Sequence, residues 1–239
     1  MPLHKIVRQE EISLSNWQKI LALARELDFS QSSMTPKNKY WFSAVLAVIW
    51  ITGKRINEVL QLRRKDVIVS ESHIRLKFFV GKKRSKKAPM EFLPYQKVRT
   101  IDHKAVPSIL EYLDEYDAQK KSSDGYLFFA PTKPRTRTVN TKFVDGEGKK
   151  QTKTYTYQDK GGYVYQEHAR YWLAKINKQL EPEERIYFHY GRHSIGIKMA
   201  YQGKSIFQIA DVLDENPKSA IAYTKHAGGY SQEWTQETE

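Results

Sequence analysis

Apolar side chains recur along this chain first at helical and then at strand spacing. Between Ser13 and Phe29, Leu14, Trp17, Ile20, Leu21, Ala24 and Leu27 fall three and four residues apart, with Ser13 or Ser15 as an N-cap, which predicts an amphipathic helix. The polar stretch FSQSSMTPKN breaks it, and Pro36 allows a restart. Trp41 to Thr52 is the longest apolar run, about three helical turns, so a buried helix is expected there, ended by Gly53. Helical spacing resumes through Ile56, Val59, Leu60 and Leu62. The segments VIVSESHIRLKFFVG and APMEFLPY carry β-branched and aromatic residues in partial alternation and read as strands joined by a basic tip, KKRSKK.

Val106 to Lys120 reads as a helix with Pro107 in its first turn and Val106, Ile109, Leu110, Leu113 and Tyr116 on one side. Residues 125–129 form a short apolar segment. Residues 131–165 are rich in Thr, Lys and Tyr and contain the turn signal Asp145-Gly146-Glu147-Gly148, which predicts an inserted basic β-hairpin or loop. From Gln166 to Tyr223 the pattern is helical, broken near Pro182, Gly203 and Pro217. The fold class expected is α+β, mainly α-helical, with a small antiparallel sheet and the inserted hairpin. A length of 239 residues lies within the reach of one domain, with 1–12 as an N-terminal extension and 227–239 as a C-terminal tail.

Charge alters this picture through its sign. Forty Lys and Arg against 27 Asp and Glu give a formal net charge of +13, which favours polyanionic partners because each phosphate neutralised releases condensed counterions. The absence of cysteine excludes disulfides, thiolate zinc sites and cysteine nucleophiles, and fits a reducing interior. The start, MPLHKIVRQEE, lacks the apolar core of a signal peptide, and no stretch has the length needed to span a bilayer. The expectation is a cytoplasmic protein with no membrane partner.

Three clusters carry chemistry: TGKRINEVLQL at 52–62, HYGRHSIG at 189–196 and LDENPKSAIAYTKH at 213–226. Arginine offers a planar fork of donors suited to phosphate oxygens, and imidazole titrates near neutrality. His189 and His193, four apart on a helix, have metal-ligand spacing, but no acidic third ligand is adjacent and Arg192 would repel a cation. Ser194 does not make a nucleophile elbow, because Arg192 stands where that motif requires glycine.

Together, in this order and with a basic hairpin between the first two, the clusters resemble the catalytic domain of the tyrosine recombinases, or phage integrase family, over roughly residues 13–226. The resemblance implies that Arg55, in a Thr-Gly-x-Arg-x-x-Glu pattern with Glu58 as support, and Arg192, in His-x-x-Arg, clamp the scissile phosphate. It implies that His189 transfers a proton or bonds the phosphate, with His193 as companion. Lys82, after Val80-Gly81, would protonate the leaving 5′ oxygen, although Lys83, Lys86 and Lys87 offer other registers. Tyr223, in Tyr-x-x-His, would be the nucleophile that forms a 3′-phosphotyrosyl link.

One departure stands out. Where the family has Leu-Gly-His or Leu-Gly-Trp, this chain has Leu213-Asp214-Glu215, with the gap to the tyrosine one residue short. Glu215 aligns from the leucine side and Asp214 from the tyrosine side; neither gives phosphate a charged donor, and Asn216 is a candidate replacement.

The resemblance further implies double-stranded DNA as partner, four protomers on two paired DNA sites with monomers beforehand, no metal or other cofactor, and a prokaryotic, viral or mobile-element origin. DNA contacts are expected from Lys83, Arg84, Lys86 and Lys87 at the hairpin and from Arg135, Arg137, Lys149 and Lys150 in the insertion. No separate core-binding domain precedes the first helix, as it does in most relatives, so either a shortened chain or a single-domain recombinase is expected. Rival readings are a type IB topoisomerase and a catalytically silent DNA-binding protein on the same fold.

Overall fold

The computed structural model describes residues 12–79, 96–102, 107–119, 124–144, 148–159 and 161–226. Helix α1 (Leu14–Glu26) is capped by the Ser13 hydroxyl, which accepts from the Asn16 N–H at 3.2 Å. Its Trp17, Ile20 and Ala24 are buried. Trp17 stacks on Trp50 of helix α2 (Trp41–Thr52), with ring centroids 4.4 Å apart. Ten of the twelve residues of α2 are buried, so this helix is the centre of the main core. Gly53 ends it in the left-handed region (φ 63°), its N–H donating to Ile49 O at 2.9 Å.

Helix α3 (Ile56–Leu60) is a single turn, followed by a 3-10 turn at Arg64–Asp66, so the helical spacing read through Leu62 stops short. The cause is tertiary. Residues 125–127 pair with this segment, Leu127 N–H donating to Leu62 O at 2.7 Å and Arg64 N–H to Gly125 O at 3.1 Å, which removes the groups a longer helix needs.

Strands β1 (Val67–Val69), β2 (His73–Phe79) and β3 (Gln96–Asp102) form an antiparallel sheet in the order β1-β2-β3, with Val67 opposite Leu76 and Ile74 opposite Ile101. Along β2, Ile74, Leu76 and Phe78 are buried while His73, Arg75 and Lys77 are exposed, the alternation of a sheet with one wet face. The expected strand APMEFLPY, like the tip KKRSKK with Lys82, Lys83, Arg84, Lys86 and Lys87, lies outside the described residues. The strand that pairs with β2 is QKVRTID, whose single buried apolar residue, Ile101, left little periodic signal.

Helix α4 (Pro107–Ala118) begins at its proline and buries Ile109, Tyr112, Leu113 and Tyr116. Strands β4 (Arg135–Val144) and β5 (Lys150–Asp159) make a separate two-stranded ribbon of ten residues each, from Arg135 opposite Asp159 to Val144 opposite Lys150. At about 3.3 Å per residue it is roughly 33 Å long. Helices α5 (Gln166–Asn177), α6 (His189–Tyr201), α7 (Ile206–Leu213) and α8 (Pro217–His226) complete the chain. A small second core of Ile197, Ile209, Ala210, Leu213, Ala220 and Tyr223 joins α6, α7 and α8. No helix among the described residues is long and apolar enough to cross a membrane.

Candidate active site

The end of α2, the start of α6 and the α7–α8 corner meet at Gly53. A Cβ there would lie 2.9 Å from Leu213 Cδ2 and 3.1 Å from Ile195 Cδ1, so glycine serves both the left-handed turn and the close approach. Arg55 follows as the N-cap of α3. Glu58 turns back onto it, with Oε2 accepting from the Arg55 backbone N–H at 3.1 Å and Oε1 from Nη1 at 2.9 Å. Arg55 Nη2 donates to the Asp214 carbonyl at 3.2 Å.

Arg192 projects from α6 and is buried, 3% exposed. Its Nη1 donates to Gly53 O at 2.9 Å, and its Nη2 to Leu213 O and to Glu215 Oε2, the latter at 3.1 Å. The two guanidiniums therefore end on consecutive carbonyls of one segment, Leu213–Asp214, whose α-carbons are about 3.8 Å apart.

That segment is where the sequence departs from the family pattern. Asp214 is the C-cap of α7 with φ 51°, the only non-glycine at positive φ among the described residues, and Glu215 N–H closes the helix end on Ala210 O at 3.0 Å. Asp214 thus holds the backbone position that favours glycine, and Glu215 is the side chain directed at Arg192. Asn216 caps α8, its Oδ1 accepting from the Lys218 N–H at 2.9 Å, with its side chain exposed.

Lys54 was not legible as part of this corner. Its side chain, 1% exposed, donates to Asp214 Oδ2, itself on a side chain 3% exposed, and its amine lies over the Phe78 ring of β2 at 5.6 Å. Burial holds the amine below the ordinary lysine range, partly offset by its bond to Asp214. The available signal was a pair of opposite departures, a lysine inside an apolar turn and an acid at a left-handed position. Breaking one side of a buried pair leaves an uncompensated charge, at about 3–5 kcal/mol, whereas an apolar replacement of both is close to neutral. Asp214→Gly is therefore expected to lower stability in urea denaturation despite relieving the left-handed backbone, and Lys54→Met with Asp214→Gly to recover most of the loss. Equal stability of the single variant and the parent would show that the pair contributes nothing.

Tyr223, on α8, is 5% exposed. Its ring lies flat against α6 at Gly196, where an added Cβ would sit 2.8 Å from the ring carbons. His193, three residues before Gly196 and on the same helical face, has its ring centroid 5.7 Å from that of Tyr223. Burial pushes the phenol well above its usual range, and the Glu215 carboxylate adds to this, while Arg192 pulls the other way. His189, in the first turn of α6, is exposed, its ring centroid 6.4 Å from that of His193. The corner so brings together Arg55, Glu58, Arg192, His193, Glu215 and Tyr223, with His189 at its rim. Lys82 lies outside the described residues.

Further out, Arg99 of β3 donates from Nη2 to Val212 O, tying the sheet to α7. Of the basic residues named in the ribbon, Arg135 stacks on Tyr165 at 3.7 Å and meets both Glu167 oxygens at 3.2 Å, anchoring the ribbon's base. Lys149 is exposed, and Arg137 and Lys150 are described in backbone only. Among the described residues no group of three or more His, Cys, Asp or Glu side chains could hold a metal ion.

Residues 16–228 match the model of the phage integrase family. No curated protein matches the chain. Among solved structures, XerH site-specific recombinase bound to palindromic difH substrate, a post-cleavage complex, is similar with a TM-score of 0.57 and 15% identity, over 96% of this chain and 52% of that one. XerA recombinase is similar with a TM-score of 0.54 and 17% identity, over 100% of this chain and 66% of that one. This chain therefore spans about half the length of the XerH chain. At such identities the likeness is one of fold.

Proposed function

This chain belongs to the phage integrase family and has the fold of a tyrosine recombinase catalytic domain, and we propose that it is a site-specific recombinase that cleaves and rejoins DNA through Tyr223. The observation that carries this reading is the corner itself: two guanidiniums ending on adjacent carbonyls, with the Tyr223 phenol packed beside them against α6. A phosphodiester is an anion that repels nucleophiles, and its five-coordinate transition state carries more charge on the non-bridging oxygens. Two arginine forks supply donors where that charge develops.

In the proposed reaction the Tyr223 oxygen attacks phosphorus, the bond to the 5′ oxygen breaks, and that oxygen leaves as a hydroxyl. Lys82 is proposed to donate its proton, and His189 to bond the phosphate or relay a proton. A second 5′ hydroxyl then attacks the phosphotyrosyl link and expels the phenol. The ester is conserved in the covalent intermediate, so neither ATP nor a metal is required. Exchange between two sites would assemble four protomers on double-stranded DNA.

The ribbon β4–β5 supports DNA binding independently. Residues 133–160 contain eight Lys or Arg against three Asp or Glu. One face presents Thr136, Thr138, Asn140, Thr154, Thr156 and Gln158, all exposed. A two-stranded ribbon fits the major groove, where uncharged hydrogen-bonding groups can meet base edges. Because Arg135 and Asp159 are directly paired, residues 136–158 can be replaced by a two-residue turn. This deletion is expected to weaken DNA binding and to flatten the dependence of log affinity on log salt by about 0.9 for each phosphate that the ribbon had neutralised. Unchanged affinity at matched salt would remove the ribbon from the interface.

The central test is capture on a nicked suicide duplex from which the cleaved fragment diffuses away. A covalent protein–DNA adduct is expected, with the attachment mapped by proteolysis to the peptide carrying Tyr223. Binding without an adduct would make the chain a DNA-binding protein on this fold, and relaxation of plasmid without strand exchange would make it a topoisomerase.

A further inference from the structure

Glu215 stands beside both the arginine that would hold the phosphate and the phenol that would attack it. Its side chain is 11% exposed; Oε2 accepts from Arg192 Nη2 at 3.1 Å, and Oε1 is buried without a hydrogen bond of good geometry among the described residues, while the carboxylate lies close enough to the Tyr223 phenol to act on its ionisation. A buried acceptor with an unused lone pair is costly unless something fills it, so such an atom is a place to look for a ligand or a transferred proton. A second anion, the scissile phosphate, arriving at Arg192 would meet this carboxylate at close range, and like charges there oppose binding.

Resting on the recombinase reading, we infer that Glu215 is a catalytic residue of the cleavage step: its carboxylate takes the proton of the Tyr223 phenol as the phenol oxygen attacks phosphorus. One proton movement would then meet three needs. The O–H bond of Tyr223 breaks as the O–P bond forms, so the nucleophile is activated without ever populating a free phenolate. The proton becomes the O–H of Glu215, which removes the negative charge beside the phosphate. The resulting carboxylic acid donates a hydrogen bond to a non-bridging oxygen, a donor that the carboxylate could not offer. In the rejoining step the attacking 5′ hydroxyl gives its proton back to the group that had protonated the leaving oxygen, the P–O bond to Tyr223 breaks, and the proton held by Glu215 returns to the departing phenol oxygen, so each residue ends the cycle as it began.

The surroundings suit this role. Burial opposes ionisation of the Tyr223 phenol, so the attack needs an acceptor at hand. Glu215 meets Arg192 on α6 and Tyr223 on α8; His193 lies beside Tyr223, and Lys54 and Arg55, between α2 and α3, reach its neighbour Asp214. Lys54 is already bonded to Asp214, and Arg55 to Glu58 and the Asp214 carbonyl. Glu215 is the carboxylate at this corner that has a buried oxygen and the Tyr223 phenol beside it.

The test measures single-turnover cleavage of the nicked suicide duplex against pH for the parent, Glu215→Gln and Glu215→His, with thermal midpoint and DNA affinity recorded for each. Glutamine keeps the shape and can donate, but it cannot accept the proton. Glu215→Gln is expected to bind DNA at least as tightly as the parent and to cleave about 10²–10⁴-fold more slowly at neutral pH. Its rate should rise about tenfold per pH unit, following the phenolate fraction. A duplex with sulfur in place of the bridging 5′ oxygen, which leaves without a proton, should not restore it. Rescue by that sulfur would instead assign Glu215 to the leaving group and overturn the inference, as would parental rates or an unaltered pH profile in Glu215→Gln. If the glutamine variant does not fold, Glu215→His decides: an inflection near the imidazole range, about pH 6.5, supports proton acceptance at this position, and its absence opposes it. No adduct in the parent would fail the recombinase reading itself, an outcome distinct from an adduct that forms equally with and without Glu215.

Discussion

Tyr223→Phe is expected to bind the same duplex as the parent with the same affinity and to yield no covalent adduct at all. The reason for expecting a clean separation is geometric. The Tyr223 ring contributes to the small core of α6, α7 and α8, lies against Gly196 and neighbours His193, and phenylalanine keeps every one of those ring contacts. What is removed is one oxygen, the proposed nucleophile. Loss of a buried hydroxyl beside Glu215 should leave the thermal midpoint nearly unchanged, so a folding defect cannot imitate the result. A residual adduct in this variant would point to another of the 15 tyrosines or to a different nucleophile class.

Replacing Arg192 is expected to have the second largest effect, and on two measurements at once. Its guanidinium holds Gly53 O, Leu213 O and Glu215, so it joins the end of α2 to the α7–α8 corner as well as facing the site. Arg192→Ala would leave two carbonyls and a carboxylate buried without donors, a loss of about 3–5 kcal/mol by the standard of broken buried pairs. Arg192→Lys keeps the charge but not the planar fork, and cannot reach three acceptors in fixed directions. It should fold more stably than the alanine variant yet cleave roughly 10²–10³-fold more slowly than the parent, the range for loss of a donor to transition-state charge. Urea denaturation and single-turnover cleavage measured together separate the two consequences. Parental cleavage by Arg192→Lys would mean that only charge is needed at this position.

The pattern of apolar positions located α1, α2, α4 and the four C-terminal helices because each buries a stripe or a whole surface that repeats at helical spacing, and Ser13 and Gly53 mark ends through local chemistry alone. The ribbon was legible from its turn signal and strand-forming composition. The shortness of α3 was not, because residues 125–127 pair with Leu62 and Arg64, just beyond its end, from more than sixty residues away. Strand β3 was equally hidden: with only Ile101 buried, its pairing with β2 rather than its own side chains makes it a strand.

Motif spacing singled out Arg55, Arg192 and Tyr223 from the many arginines and tyrosines of the chain, and the fold brings these three to one corner. The sequence left open whether Asp214 or Glu215 stands in place of the usual histidine. In the fold, Asp214 with its left-handed backbone meets the buried Lys54, while Glu215 meets Arg192 and lies beside Tyr223. By itself, then, the order of residues determined which side chains could do chemistry on a phosphate, since donor type and helical spacing are local properties. Which lysine is buried, and that both arginines end on one short segment, were decided only when α2, α6 and α7 closed around Gly53, because Arg55 and Lys54 reach Asp214, and Arg192 reaches Gly53, across about 140 to 160 positions.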